Sequence, residues 1–206
     1  MPVDLTYPGK RVIDGLLLAV VAVPAAILSA VVALLVRCTS RGPVLFRQTR
    51  VGHLGHPFTI LKFRTMGHNP DGNAIVPDAD QITAVGRVLR RLSLDELPQL
   101  WNVARGEMSV VGPRPTLEYQ VQRYDDRQRT RLSVRPGLTG LAQVEGRNTL
   151  AWADRIELDL EYVDRNSPTL DLTLAVRTVP ALLRGTGVGG HDPADPLAAP
   201  DEEPTR

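Results

Sequence analysis

The chain has 206 residues, 43% of them hydrophobic and 23% charged, enough for one domain with a sizeable core. Its single cysteine, Cys38, excludes an intramolecular disulfide and a Cys-x-x-Cys redox or zinc pair. The net charge of +1 is uneven: the last sixteen residues carry five acids and one arginine, which leaves +5 on residues 1–190. Such a mildly basic body suits an anionic membrane or a phosphorylated substrate, whereas scattered cations with few aromatics between them argue against nucleic acid.

Residues 16–36 form an uncharged run of 21 positions. As a helix it would measure about 31 Å at ~1.5 Å per residue, the thickness of a bilayer's hydrocarbon core. The run exceeds the ~7 to 15 residues of a secretory h-region and no A-x-A site follows it, so the segment is expected to stay. Pro24 lies near its middle, and cations flank both ends: Lys10 and Arg11 before it, Arg37, Arg41, Arg47 and Arg50 after it. The positive-inside rule is then best met by a helix bent at Pro24 that re-enters the leaflet it left, with both ends cytoplasmic. A kinked transmembrane helix with a cytoplasmic body is the alternative.

Residues 44–51 read as a strand, 52–57 as a glycine-containing connection and 58–65 as the returning strand. Period-two geometry puts Lys62 and Arg64 on one face, as a phosphate site or a solvated face would. A polar loop over 67–81 follows. Ile82, Val85, Leu89 and Leu92 then recur at helical spacing, with Arg87, Arg90 and Arg91 toward the other side.

The densest chemistry lies in 93–115, SLDELPQLWNVARGEMSVVGPRP. Ser93 and Glu96 match an S-x-x-E capping box, the reading that local chemistry favours, with catalysis by Asp95 and Glu96 as the alternative. Adjacent residues on a helix point in different directions, so the two acids cannot flank one glycosidic bond and would need different roles. Arg114 sits in the turn Gly112-Pro113-Arg114-Pro115, where two prolines fix the backbone.

Residues 116–132 are expected to be polar and helical, and GLAQVEGRN, from Gly140, to be a short strand leaving into a turn that presents Arg147. Trp152, Ile156, Leu160 and Val163 form an apolar helical stripe, with Arg155 and Asp159 paired on the surface at i,i+4. Leu172, Ala175, Val176, Val179, Leu182 and Leu183 form another, suited to the core or to a membrane surface, with a kink at Pro180. The acidic, proline-rich end reads as disordered.

The apolar segment after Lys10-Arg11, then GPVLFRQTRVG, FTILKFRTM, SLDELPQLWNV, SVVGPRP and RPGLTGLAQVEGRN, in this order, resemble the bacterial sugar transferase family. These are monotopic polyprenyl-phosphate phosphoglycosyl transferases, and the resemblance covers about residues 10–185. It implies an α+β fold: a mostly helical catalytic domain with a short β-hairpin behind an N-terminal re-entrant membrane helix bent at Pro24. The expected divisions are a membrane anchor over 1–38, a catalytic domain over 39–185 and an acidic tail over 186–206. The resemblance also implies only the short catalytic form, without the extra N-terminal helices of larger members.

By the same resemblance, the activity is transfer of a sugar 1-phosphate from a nucleotide diphosphate sugar, a UDP-sugar, to undecaprenyl phosphate. The step would occur at the cytoplasmic face of the bacterial inner membrane, against anionic lipid, and initiate glycan assembly. Asp95 would be the nucleophile that forms an acyl phospho-sugar, and Glu96 would help hold Mg²⁺. Lys62, Arg64, Arg90, Arg114 and Arg147 are the candidate phosphate- and nucleotide-binding cations. The resemblance leaves room for a homodimer. One departure is Val23, where family members commonly place serine before the bend proline. The competing class is a catalytically silent membrane adaptor that binds a nucleotide-sugar or a partner protein.

Overall fold

Helix α1, Lys10–Thr39, contains the whole apolar run and carries Pro24 inside it. It is long and apolar enough to cross a membrane. The computed structural model describes residues 3–67, 81–146 and 150–184. Within α1 the burial is confined to the two ends, at Lys10, Asp14, Val32 and Val36.

The N-terminal root of α1 enters a polar pocket of the globular body. The Lys10 ammonium donates to the Val111 carbonyl at 2.8 Å, to the Tyr162 hydroxyl at 3.2 Å and to Asp171. Asp14 accepts from Ser109 Oγ at 2.7 Å and from the Val110 amide at 2.9 Å. Lys10 therefore does not serve as a headgroup-facing cation: a buried ammonium must be paired, and Asp171 pairs it. The other root, Val32 and Val36, packs with Phe63 and Leu89, a cluster that Leu94 and Leu97 join.

The expected hairpin forms from β1, Leu45–Val51, and β2, Pro57–Phe63, antiparallel, with Arg50 opposite Phe58, Gln48 opposite Ile60 and Phe46 opposite Lys62. The second strand ends at Phe63, two residues short of the sequence expectation. Beyond the hairpin, Met66 bridges Ile82 and the Gly67 amide donates to Gln81. Those contacts close the base of the polar loop, whose residues 68–80 lie outside the described residues.

Helix α2, Ala84–Arg91, begins at Thr83, whose hydroxyl accepts from the Gly86 amide at 2.9 Å. A Cβ on Gly86 would stand 2.0 Å from the Thr65 carbonyl, so glycine lets α2 lie directly on the end of the hairpin. Helix α3, Gln99–Arg105, follows. A second, parallel pair joins β3, Ser109–Val111, to β4, Gly137–Thr139. At three residues each, these strands carry too little alternation to be read from sequence.

The segment 116–132 is not one helix but α4, Glu118–Gln122, and α5, Asp126–Arg129, followed by a 3₁₀ turn, Thr130–Ser133. Its break comes at Arg123–Asp125, where Asp125 caps α5 by accepting from Gln128 at 2.7 Å. The stretch expected to be a strand from Gly140 is instead helix α6, Leu141–Glu145, and the strand lies just before it.

Helix α7, Trp152–Arg165, buries Trp152, Ile156, Leu160 and Val163 as expected. Its Asp159 corrects the surface-pair reading: it is 1% exposed and pairs with Arg131 at 2.6 Å. Helix α8, Pro168–Arg184, turns Asp171 and Leu174 inward and leaves Leu172, Val176 and Val179 exposed, so that part of its apolar stripe is not core. The acidic tail lies outside the described residues.

Candidate active site

The site is built where α2 hands over to α3. The chain leaves α2 at Leu92, and Ser93 takes φ 54°, a left-handed conformation uncommon for a residue with a Cβ. A short 3₁₀ turn, Leu94–Glu96, follows, and the Ser93 side chain makes no cap hydrogen bond to it. The capping-box reading is thereby set aside: with Ser93 left-handed, its hydroxyl is not aimed at the turn's amides. Leu94 and Leu97, on either side of the acids, rest on the Val32, Val36, Phe63 and Leu89 cluster, so the turn has an apolar floor.

Asp95 and Glu96 meet different surroundings. Glu96 Oε1 accepts from Lys62 Nζ at 2.8 Å and from Arg114 Nη2 at 2.6 Å, while Oε2 lies 3.3 Å from Arg114 Nη1. Burial pushes this carboxyl up, but Arg114 and Lys62 outweigh it and hold the group far below the usual carboxylate range. Asp95 is only 7% exposed. Burial, and then the Glu96 charge, push it up to about 6 against the pull of Lys62, Arg114 and Arg90. Two adjacent acids are thus driven apart, one kept as a permanent anion and the other made basic for a carboxylate.

The cations divide in the same way. Lys62 reaches Glu96 from β2. Arg114 reaches it from a turn whose backbone is tied down: the Gly137 amide donates to the Pro113 carbonyl at 2.8 Å, and Arg131 Nη2 donates to the Arg114 carbonyl at 2.6 Å. Arg131 is itself held by Asp159 and by the Tyr124 hydroxyl, both at 2.6 Å. A Cβ on Gly112 would stand 2.4 Å from the Arg135 carbonyl, so only glycine lets the turn lie this close to β4. Glu96 raises the pKa of Arg114 further, keeping it fully charged.

Arg90 donates from Nε to Thr65 Oγ1 at 2.8 Å and lies within electrostatic reach of Asp95. Arg87 and Arg91, on the same helix, are exposed. Arg64 does not join the cluster: β2 has ended, the alternation lapses, and its Nη2 turns to the Ser40 carbonyl at 2.9 Å and the Ser40 hydroxyl at 2.7 Å. Arg147 lies outside the described residues.

Sequence reasoning missed Arg50 and Gln48. Both stand on the face of the hairpin that carries Lys62, and only the register reveals it. A cleft of about 730 Å³, lined by Arg47, His56, Thr59, Leu61 and Trp101, contains neither Asp95 nor Glu96. Arg47, Thr59 and Leu61 alternate with Gln48, Ile60 and Lys62 and so face away from the carboxylates; the chemistry places the site at the acids, not in that cleft.

The sequence pattern that defines the family described as "Bacterial sugar transferase" matches residues 5–185. The chain belongs to this family. Among similar proteins, a sugar transferase of Bacillus subtilis named EpsL, itself uncharacterized, is 46% identical over 74% of this chain and 76% of its own. The exopolysaccharide production protein ExoY of Sinorhizobium fredii is 39% identical over 86% of this chain and 87% of its own. The UDP-glucose:undecaprenyl-phosphate glucose-1-phosphate transferase of Caulobacter vibrioides is 44% identical over 84% of this chain and 69% of its own. In this sugar transferase the matched region takes in α1, the hairpin, the Asp95-Glu96 turn and the Arg114 turn together.

Proposed function

We propose that the chain moves a sugar 1-phosphate from a nucleotide diphosphate sugar, a UDP-sugar, to a polyprenyl phosphate such as undecaprenyl phosphate, through a phospho-sugar carried on Asp95. The observation that carries this reading is the opposed state of the two acids. Asp95 is buried, held near 6 and therefore largely ionised at neutral pH, yet more basic than an ordinary aspartate, as a carboxylate nucleophile should be. Glu96 cannot do this work, because Lys62 and Arg114 already claim its charge. The name of the Caulobacter relative, with its UDP-glucose donor and undecaprenyl-phosphate acceptor, supports the substrate classes.

In the first half-reaction an Asp95 oxygen attacks the phosphorus bearing the sugar, and the bond to the nucleoside phosphate breaks. Lys62, Arg114 and Arg90, gathered around the two acids, would stabilise the charge on the transferred oxygens. In the second half-reaction the lipid phosphate attacks the same phosphorus and frees Asp95.

Mg²⁺ fits the donors present. One or two carboxylates with substrate phosphates suffice for this ion, and Glu96 Oε2 has only the long 3.3 Å contact. Bound there beside Asp95, it would supply charge neutralisation for the diphosphate.

The membrane reading follows from α1. Its 30 residues would extend about 45 Å if straight. Both ends dock on one body while residues 15–31 stay largely uncovered, which leaves the apolar middle free to enter a bilayer; the bend at Pro24 and the return to the cytoplasmic face rest on the flanking cations.

The test is incubation with UDP-sugar and Mg²⁺ in the absence of lipid. The expected result is one equivalent of UMP and a hydroxylamine-labile sugar phosphate on the peptide containing Asp95, both lost in Asp95→Asn. An adduct mapping to Ser93, or substantial turnover by Asp95→Asn, defeats the reading. A silent adaptor would release no UMP at all.

A further inference from the structure

Arg50 is a cation at the edge of the site for which the reaction as described has no use. It is half-buried on β1, and among the described residues its hydrogen-bond partners are a neutral amide and a backbone carbonyl. Its Nε and Nη2 donate to Gln48 Oε1 at 3.1 and 2.7 Å, and Nη1 lies 3.5 Å from the Pro115 carbonyl. A neutral amide orients a guanidinium without neutralising it, whereas a carboxylate in the same place would cancel its charge. The long Nη1 contact is weak enough to be exchanged for a ligand oxygen.

Its position relative to the acids is fixed by two elements. On the hairpin, Arg50 and Lys62 share a face, since Phe46 opposes Lys62 and lies four residues before Arg50. That spacing is about 13 Å at ~3.3 Å per residue. From the other side, Arg114 spans the interval: its neighbour Pro115 lies against Arg50, and its own guanidinium lies on Glu96. Arg50 therefore lies on the Lys62 face beside the Arg114 turn, within electrostatic reach of Glu96, which Lys62 and Arg114 hold directly. Burial first, and then the adjacent Arg114, push its guanidinium down to about 10 against the pull of Tyr119 and Glu96.

We propose that Arg50, splinted by Gln48, binds the leaving phosphate of the nucleotide donor. The inference rests on the transferase reading and deepens it. In an in-line displacement the leaving oxygen lies opposite the attacking one, so the phosphate that departs sits farther from Asp95 than the phosphate that is transferred. As the Asp95 oxygen bonds to the sugar-bearing phosphorus, the bridging P–O bond breaks and its electron pair leaves with the nucleoside monophosphate. No proton or electron is needed from elsewhere. The leaving phosphate gains negative charge in this step, and a guanidinium already oriented by Gln48 meets it without reorganisation. Arg50 is thus a ligand-contacting cation, and Gln48 a positioning residue.

The experiment compares UMP and uridine binding to the full chain in lipid nanodiscs, then times each half-reaction separately. Arg50→Ala should weaken UMP about tenfold or more and leave uridine unchanged. It should also slow adduct formation far more than transfer from the preformed adduct to polyprenyl phosphate, because the nucleotide has gone by then. Arg50→Lys should recover part of the UMP affinity, and Gln48→Leu should give the Arg50→Ala pattern in weaker form. These two variants carry the test if Arg50→Ala does not fold. Equal losses for UMP and uridine, equal slowing of both half-reactions, or undiminished UMP binding overturns the proposal, as does a wild-type chain that binds no UMP. A wild-type chain that binds UMP but forms no adduct on Asp95 sinks the covalent reading instead, and the UMP-against-uridine difference still decides the role of Arg50.

Discussion

Replacing Asp95 with asparagine should abolish activity and at the same time stabilise the protein. The fold raises this carboxyl from its ordinary value near 3.8 to about 6. At ~1.4 kcal/mol per pH unit, ionising it within the fold costs about 3 kcal/mol. Between these two values the folded chain holds a proton that the unfolded chain has lost, so stability falls as pH rises through the window, and the full cost is present above pH ~7. Asparagine has the same shape and no charge to bury, so it escapes that cost. Thermal unfolding in one detergent at pH 7.5 should therefore place Asp95→Asn about 6 to 12 °C above wild type, at roughly 2 to 4 °C per kcal/mol for a chain of this size. Near pH 4 the two midpoints should converge. An asparagine variant no more stable than wild type at pH 7.5, or an advantage that does not shrink toward acid, would show that burial does not strain this carboxylate.

Glu96→Gln should cut turnover about 10- to 100-fold, since it releases both cations it holds and removes a ligand charge for Mg²⁺. Because Glu96 helps raise Asp95, the acid limb of adduct formation should also move to lower pH; an unmoved limb, or an unchanged Mg²⁺ response, counts against the assignment. Arg131→Gln should lower stability by about 3 to 5 kcal/mol, because it strands Asp159 as an unpaired buried charge, and adding Asp159→Asn should restore most of it in chemical unfolding. Pro24→Leu should favour a straight span and free the N-terminal root of α1. A cysteine placed before Lys10 should then become labelled from outside the cytoplasm in the variant only, and labelling in wild type as well would end the re-entrant reading.

Local chemistry was legible wherever it repeats or is fixed by proline. The helical stripe of α7, the hairpin, the uncharged run of α1 and the Arg114 turn all declare themselves in sequence, because periodicity and restricted φ act within a few residues. What sequence could not supply was pairing across distance. Asp159 offers Arg155 four residues away but binds Arg131, twenty-eight residues back, because α7 buries that face against the 3₁₀ turn carrying Arg131. Arg64 appeared to share a face with Lys62, yet the strand stops one residue before it. Arg50 looked like one of several cations near a membrane segment, and only the register of β1 on β2 turns it toward the acids. The Lys10 side chain misled in the opposite way: a flanking cation on composition, it is a buried strut once Asp171 arrives from the far end of the chain.

These long-range contacts tie the membrane helix to both halves of the site. At one root, Lys10 bonds the carbonyl of Val111, three residues before Arg114; at the other, Val32 and Val36 lie in the same cluster as Leu94 and Leu97, which bracket Asp95. The Asp95 turn and the Arg114 turn are thus each braced by a different end of one apolar helix. On the proposed reaction, this is what the second half-reaction requires. A polyprenyl chain cannot leave the hydrocarbon, so its phosphate meets the phospho-sugar only at the height where the lipid holds it. A helix whose apolar middle is fixed in the bilayer and whose two ends grip the catalytic turns sets the height of Asp95 directly. The depth of α1 in the membrane is then a coordinate of the reaction and not merely an anchor.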